Sequence, residues 1–73
     1  MSVEIINTCR IDIYQIYIEN SPYGDIEAII DIYYHTESGE QEIDVRNVYI
    51  NGKKTEIDTE IEEFIINEFY NNL

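Results

Sequence analysis

Two stretches in which apolar residues recur at every second position constrain this chain more than any other feature. The first, Asp25-Ile26-Glu27-Ala28-Ile29-Ile30-Asp31-Ile32-Tyr33-Tyr34, places its even-numbered apolar residues on one side. The second, Glu40-Gln41-Glu42-Ile43-Asp44-Val45, follows directly after Thr36-Glu37-Ser38-Gly39. Period-two alternation is typical of a strand that buries one face. We therefore expect Asp25 to Ile50 to form a long β-hairpin with one buried and one exposed face.

The preceding segment, Val3 to Glu19, is also extended in character, but its apolar pattern changes phase. Odd positions hold Ile5, Cys9, Ile11 and Ile13, whereas even positions hold Tyr14, Ile16 and Ile18. A continuous strand of this length would span roughly 55 Å, too long for so small a domain. The pattern predicts a bulge or a break into two strands between Asn7 and Gln15. Cys9, the only cysteine, is expected to be a small buried hydrophobic residue in a reducing compartment.

Turn signals separate the remaining elements. Asn20-Ser21-Pro22-Tyr23-Gly24 predicts a turn before the hairpin. The third strand is expected from about Glu42 to Ile50, with a bulge at Arg46-Asn47 where its phase slips. Asn51-Gly52 predicts a type I′ turn, and whether Lys53 to Ile57 then forms a fourth strand is left open.

The C-terminal residues predict one helix that begins near Asp58 or Thr59. Thr59-Glu60-Ile61-Glu62 fits a capping box, and apolar residues at three-and-four spacing follow it. The fold expected for the single domain 1–73 is therefore α+β, a three- to four-stranded antiparallel β-meander with one C-terminal helix packed on one face. The other sheet face stays open. The predicted helix stripe is Ile61, Phe64, Ile65 and Phe69, against Ile11, Ile13, Ile30, Ile32, Ile43 and Val45 of the sheet.

The charge of the chain is unusual. Sixteen acidic residues against four basic ones give a net charge of −12. Direct binding to nucleic acid or to an anionic membrane is disfavoured, because both need Lys and Arg. The segment Met1-Ser2-Val3-Glu4 does not resemble the start of a signal peptide, and no apolar run reaches the length of a membrane span. We expect a cytoplasmic protein whose charge serves either solubility or a basic partner.

No residue pattern names a reaction. His35 is the only histidine, and Asn51-Gly52-Lys53-Lys54-Thr55 lacks the earlier glycine of a phosphate-binding loop. The acidic residues do not follow the spacing of a calcium loop. The alternative to a chain without a metal is weak cation binding by acids at the start of the helix: Asp58, Glu60, Glu62 and Glu63. We therefore expect a non-enzymatic protein without a cofactor or a dedicated metal site.

The exposed face of the predicted hairpin is the feature that points toward function. No Lys or Arg occurs between Asp25 and Val45, so its carboxylates face solvent without nearby cations. Aromatic and aliphatic residues among them are the kind that anchor protein interfaces, while charge supplies steering and specificity. The predicted partner-binding residues are the acids Asp25, Glu27, Asp31, Glu42 and Asp44 and the anchors Tyr17, Ile29 and Tyr33.

In size and composition the chain resembles small, acidic accessory proteins of bacteriophages, and among them the anti-CRISPR and DNA-mimic inhibitors. The resemblance covers the whole chain but no diagnostic motif, so it assigns no role to any residue. It implies binding to a basic host protein or ribonucleoprotein, such as a CRISPR effector or another nucleic-acid enzyme, in the host bacterial cell. The alternative is a structural homo-oligomer, such as a homodimer, that self-associates through the open face or an edge strand.

Overall fold

The computed structural model describes residues 1–73 and consists of one antiparallel sheet and one helix. The strands are β1 (Ser2–Asn7), β2 (Ile13–Ser21), β3 (Gly24–Tyr34), β4 (Gln41–Ile50) and β5 (Lys53–Lys54). The helix, α1, spans Thr59–Asn71. Because the five strands lie side by side in chain order, the sheet is a meander, and the predicted fold class is confirmed. The short β5 answers the question left open for residues 53–57.

The first extended segment divides into two strands, as its phase slip predicted. The chain leaves β1 at Asn7 and re-enters the sheet at Ile13, with Asp12 in the left-handed region at φ 68°. The backbone N–H of Thr8 donates to the carbonyl of Ile13 at 3.1 Å, and its hydroxyl donates to the same oxygen at 3.0 Å. These bonds close a turn that brings β1 antiparallel to β2, so the segment bends back on itself.

Three predictions about this segment are wrong. Cys9 and Ile11 lie in the turn and are exposed, Ile11 to 87%. Ile13 lies opposite Asp31 on the face away from the helix, not in the core. The break explains Cys9 and Ile11, because residues between two strands follow neither strand's alternation. Ile13 is the first residue of β2, and the pairing of β2 with β3 sets its side of the sheet.

A β-bulge in β4 preserves the core phase of the hairpin. Asn47 has a positive φ of 52°, and the register between β3 and β4 shifts between Glu27 and Ile29. The extra residue returns Val48 to the buried face, where Val45 also lies. The bulge predicted at Arg46-Asn47 is thereby confirmed.

The turns at one end of the sheet depend on left-handed backbone. Asn51 and Gly52 have φ values of 51° and 81°, the pair of positive angles that a type I′ turn requires. Gly24 has φ 109°, and a Cβ there would lie 2.6 Å from the side-chain nitrogen Nδ2 of Asn51. The Asn51 side-chain oxygen accepts from the backbone N–H of Asp25 at 3.0 Å. Gly24 therefore allows the close contact that joins the two turns.

The hydrophobic core lies between one face of the sheet and α1. Phe69, at the C-terminal end of the helix stripe, is fully buried and meets the ring of Tyr14 edge-on at 5.4 Å. Phe64 is half-buried and meets Tyr23 at 5.1 Å. The predicted helix stripe is thus confirmed. The buried apolar residues are Ile16, Ile18, Ile26, Ala28, Ile30, Ile32, Val45, Val48, Ile61, Ile65 and Phe69.

The helix is capped one residue earlier than the capping-box pattern indicated. Asp58 has extended backbone, and its Oδ1 accepts from the backbone N–H of Ile61 at 2.8 Å. Thr59 is already the first helical residue. The Asp58 carboxylate therefore accepts a hydrogen bond from one of the N–H groups that a helix leaves unpaired at its start. It also interacts favourably with the positive end of the helix dipole.

This capping geometry can be tested by two neighbouring substitutions. Asp58→Ala removes the acceptor and should lower the free energy of unfolding by about 1 kcal/mol. Thr59→Ala is the matched control, because its hydroxyl caps nothing, and it should change stability far less. Urea unfolding followed by circular dichroism measures both. Equal losses for the two variants would contradict the assignment of Asp58 as the cap.

Candidate functional site

The sheet face opposite α1 is not covered by any element of the chain. We call it the open face and define it by the outward residues of the strands, as the cross-strand register aligns them. One row of the register, running across all five strands, alternates acid and aromatic residues before ending at Lys54. The open face comprises Ser2, Glu4, Ile6, Ile13, Gln15, Tyr17, Glu19, Asp25, Glu27, Ile29, Asp31, Tyr33, Glu42, Asp44, Arg46, Tyr49 and Lys54.

All eight predicted partner-binding residues lie on this face. The sequence analysis placed them there by alternation alone, and the register of β2, β3 and β4 brings them side by side. Their accessibility differs, however. Tyr17 and Ile29 are half-buried, and Asp31 is buried. The exposed members are Asp25, Glu27, Tyr33, Glu42 and Asp44.

Asp31 is held inside the face by Arg46. Its Oδ2 lies 2.6 Å from Nη2 of Arg46 and accepts a longer bond of 3.4 Å from the Tyr33 hydroxyl. The Asp31 side chain is only 8% exposed, against 48% for Arg46. Asp44 lies directly opposite Asp31, and such like-charged pairs destabilise a sheet. Arg46 offsets that repulsion, so Asp31 is a structural carboxylate and is not offered to a partner.

Arg46 is a site residue that the sequence analysis missed as such. Its only signal in the sequence was its place in the predicted bulge. In the structure the regular pairing before the register shift sets Arg46 opposite Ile29 and diagonal to Asp31. Because no base occurs between residues 25 and 45, the sequence indicated that the acids of the open face have no cation beside them. Arg46 corrects this for Asp31, at the centre of the face. Glu4 was also missed, because the sequence left a bulge and a break as alternatives and did not show that β1 folds back to place Glu4 beside Tyr17.

The remaining acids of the open face are largely unpaired. Apart from Asp31 with Arg46, the chain contains one other ion-pair contact, between Glu42 Oε2 and His35 Nε2 at 2.8 Å. That contact is a charge pair only when His35 is protonated. The other exposed acids of the face have no basic partner: Glu4, Glu19, Asp25, Glu27 and Asp44.

Acids near the helix, in contrast, include several with structural partners. Asp58 caps α1, and Glu60 accepts a 2.8 Å hydrogen bond from the Tyr23 hydroxyl. This bond, with smaller contributions from desolvation and from the charges of Glu60 and Asp58, raises the pKa of Tyr23 above its ordinary value of 10.0. Glu62 lies in the first turn, where it favours the helix dipole. The local structure thus accounts for Asp58, Glu60 and Glu62, whereas four exposed acids of the open face have no such partner: Glu4, Glu19, Glu27 and Asp44.

No group of three His, Cys, Asp or Glu side chains has the geometry to hold a metal ion. Cys9 lies in the turn after β1, and His35 lies just beyond β3, where it contacts Glu42. What the open face offers is charge together with exposed aromatic area.

Comparison with protein-family models, with curated proteins and with solved structures finds no match to this chain. Its helix is also too short and too polar to cross a membrane. The functional argument therefore depends on the residues of the open face.

The structural role assigned to Arg46 can be tested by removing its charge. Arg46→Met should lower the free energy of unfolding by about 2 kcal/mol, between the values for exposed and buried ion pairs, since Asp31 then lacks its cation. Asp31→Asn in the same chain should recover most of that loss. Lys54→Met is the control on the same face, because Lys54 has no ion pair. A loss no greater than that of the control would refute the role.

Proposed function

We propose that this chain is a non-enzymatic inhibitor whose open face binds a basic, nucleic-acid-binding surface of a host protein or ribonucleoprotein. By occupying that surface it would block the binding of nucleic acid. The observation that supports this function most directly is the concentration of unpaired, exposed carboxylates around exposed tyrosines on one uncovered sheet face. A face kept only for solubility needs the charge but does not need the aromatic residues.

Charge density limits what this face can imitate. The molecule is 38 Å along its longest axis. A DNA duplex of that length carries about 22 phosphates, at one per ~1.7 Å. The open face has seven carboxylates, one of which is paired with Arg46. The chain therefore matches the charge of part of one side of a duplex, and we expect it to compete for a local basic groove rather than for a whole duplex-binding channel.

Aromatic residues would supply the affinity that charge alone does not. Tyr33 is 51% exposed and Tyr49 is 37% exposed, on opposite sides of the bulge. Tyrosines in this setting bury large area with little loss of side-chain freedom, and they are enriched among the residues that dominate binding energy. The carboxylates around them would steer a basic partner and select against acidic ones.

Charge reversal on the open face tests this function. The double variant Glu27→Lys with Asp44→Lys changes two exposed positions and leaves the buried Asp31 in place. Tagged protein is used to capture partners from bacterial lysate at low and at high salt. The captured protein is then tested for displacement of its own nucleic acid by fluorescence anisotropy. We expect the unaltered chain to displace nucleic acid, and the variant to lose at least about tenfold in affinity through like-charge repulsion.

The control is the same change of charge away from the sheet. Glu56→Lys with Glu63→Lys alters two exposed acids outside the open face and should retain most of the inhibition. Inhibition that survives reversal of Glu27 and Asp44, or that is lost equally in the control, would contradict the proposal. A captured protein that binds no nucleic acid would contradict it too.

A second candidate function is self-assembly, and the edges of the sheet favour it. β1 pairs only with β2, so the backbone of Ser2–Asn7 has one free edge. On the other side, β5 covers β4 only at Tyr49 and Ile50. Free edges of this kind can add a strand from a second copy. Glu4 in the middle of β1 opposes such pairing between identical chains.

Salt separates the two candidates. Sedimentation velocity at low and high salt should show a monomer throughout if the open face serves a basic partner. Self-assembly through like-charged surfaces should instead increase with salt, because screening within about 10 Å at 0.1 M removes the repulsion. A dimer that strengthens as salt is added would favour the structural role over inhibition.

A further inference from the structure

The open face contains a cleft whose two side walls are tyrosine rings. Tyr17 and Tyr49 lie in the same row of the register, with Glu27 between them on the intervening strand. Their backbones are therefore about 9.6 Å apart, two strand spacings. Asp25 and Glu19 close one end, and the cavity volume is about 200 Å³.

We propose that this cleft receives one cationic side chain of the protein partner, an arginine or a lysine, between the rings of Tyr17 and Tyr49 and above the carboxylate of Glu27. This inference rests on the proposed function and deepens it, because it names the group by which a basic partner would be recognised. The remaining acids of the open face then attract the basic partner at longer range.

The dimensions of the cleft suit a side chain better than a free ligand. Small-molecule sites usually enclose about 300 to 1,000 Å³, more than this cavity holds. A flat guanidinium needs less room, and two rings standing on strands separated by one neighbour leave a gap that it can enter. A cation within about 6 Å of a tyrosine ring centre is attracted by the ring, and a carboxylate below it adds a charge-assisted hydrogen bond.

No basic residue of the chain itself occupies this cleft. Arg46 is held by Asp31, one row away. Lys54 lies opposite Tyr49 at the outer edge of the row, but it forms no ion pair. The Glu27 carboxylate is exposed and forms no hydrogen bond or ion pair within the chain, so its acceptor oxygens are available to a donor from outside.

One acid at the end of the cleft, Asp25, is held in place by the turns. Asp25 Oδ1 accepts from the backbone N–H of Asn20 at 3.0 Å, and the backbone of Asp25 is bonded on both sides to Asn51. The Tyr17 hydroxyl donates a longer hydrogen bond of 3.4 Å to Oε1 of Gln15 on the same strand. Much of the cleft is thus ordered before a partner arrives, and this lowers the entropic cost of binding.

The test uses short peptides as probes, because they need no knowledge of the partner. The blocked tripeptide acetyl-Gly-Arg-Gly-amide is titrated into isotope-labelled protein and followed by NMR chemical shifts. The same peptide with citrulline in place of arginine has nearly the same shape without the charge. We expect shifts centred on Tyr17, Glu27 and Tyr49 for the arginine peptide and about tenfold weaker binding for the citrulline peptide.

Two substitutions in the cleft and two outside it complete the test. Glu27→Gln and Tyr49→Leu should each weaken arginine-peptide binding by about threefold to tenfold. Glu63→Gln and Tyr70→Leu are the matched controls, an exposed acid and an exposed tyrosine of α1, and should leave binding unchanged. Melting curves confirm that each variant is folded.

Equal binding of the arginine and citrulline peptides would overturn the proposal. Shifts spread over all exposed acids, or equal losses in cleft and control variants, would overturn it as well. If the cleft fails this test while partner capture still depends on Glu27 and Asp44, the inhibitor function stands without this contact. If the cleft binds arginine but no nucleic-acid-binding protein is captured, the site is correct and the function is wrong.

Discussion

A single helix of 13 residues must cover a five-stranded sheet, and it can cover only one face of it. This limit determines which side chains of the sheet can be buried and which must face water. Apolar side chains are concentrated beneath α1, around the fully buried Ile65 and Phe69, because burial there contributes most of the stability of so small a domain. The opposite face has to tolerate water. Its polar character is therefore a requirement of the architecture, but the selection of unpaired acids and tyrosines is not.

The sequence predicted most of this architecture because alternation and turn chemistry are local properties. The β3 strand, the bulge at Arg46-Asn47 and the Asn51-Gly52 turn each follow from neighbouring residues. The break after Asn7 was placed correctly, but the sides of Ile11 and Ile13 were not. Which face a residue takes after a break depends on how the next strand pairs, and pairing is a tertiary property.

The candidate site shows the same division between local and tertiary information. Alternation alone placed all eight predicted residues on the open face. It did not reveal that Arg46 buries Asp31, because that diagonal contact depends on the register in which β3 pairs with β4, and the register is a tertiary property. Nor did it reveal that Tyr17, Glu27 and Tyr49 share one row. A face that looked uniformly acidic in the sequence therefore has a neutralised centre and a separate aromatic cleft.

Site-specific photo-crosslinking in bacterial cells tests the central claim, that the open face is the surface that meets the partner. A photoreactive phenylalanine analogue would replace either Tyr33, exposed on the open face, or Asn67, exposed on α1. Our account predicts a crosslinked product from position 33, containing a basic nucleic-acid-binding protein, and none from position 67. A product from position 67 alone, or a crosslinked dimer of the chain itself, would contradict it.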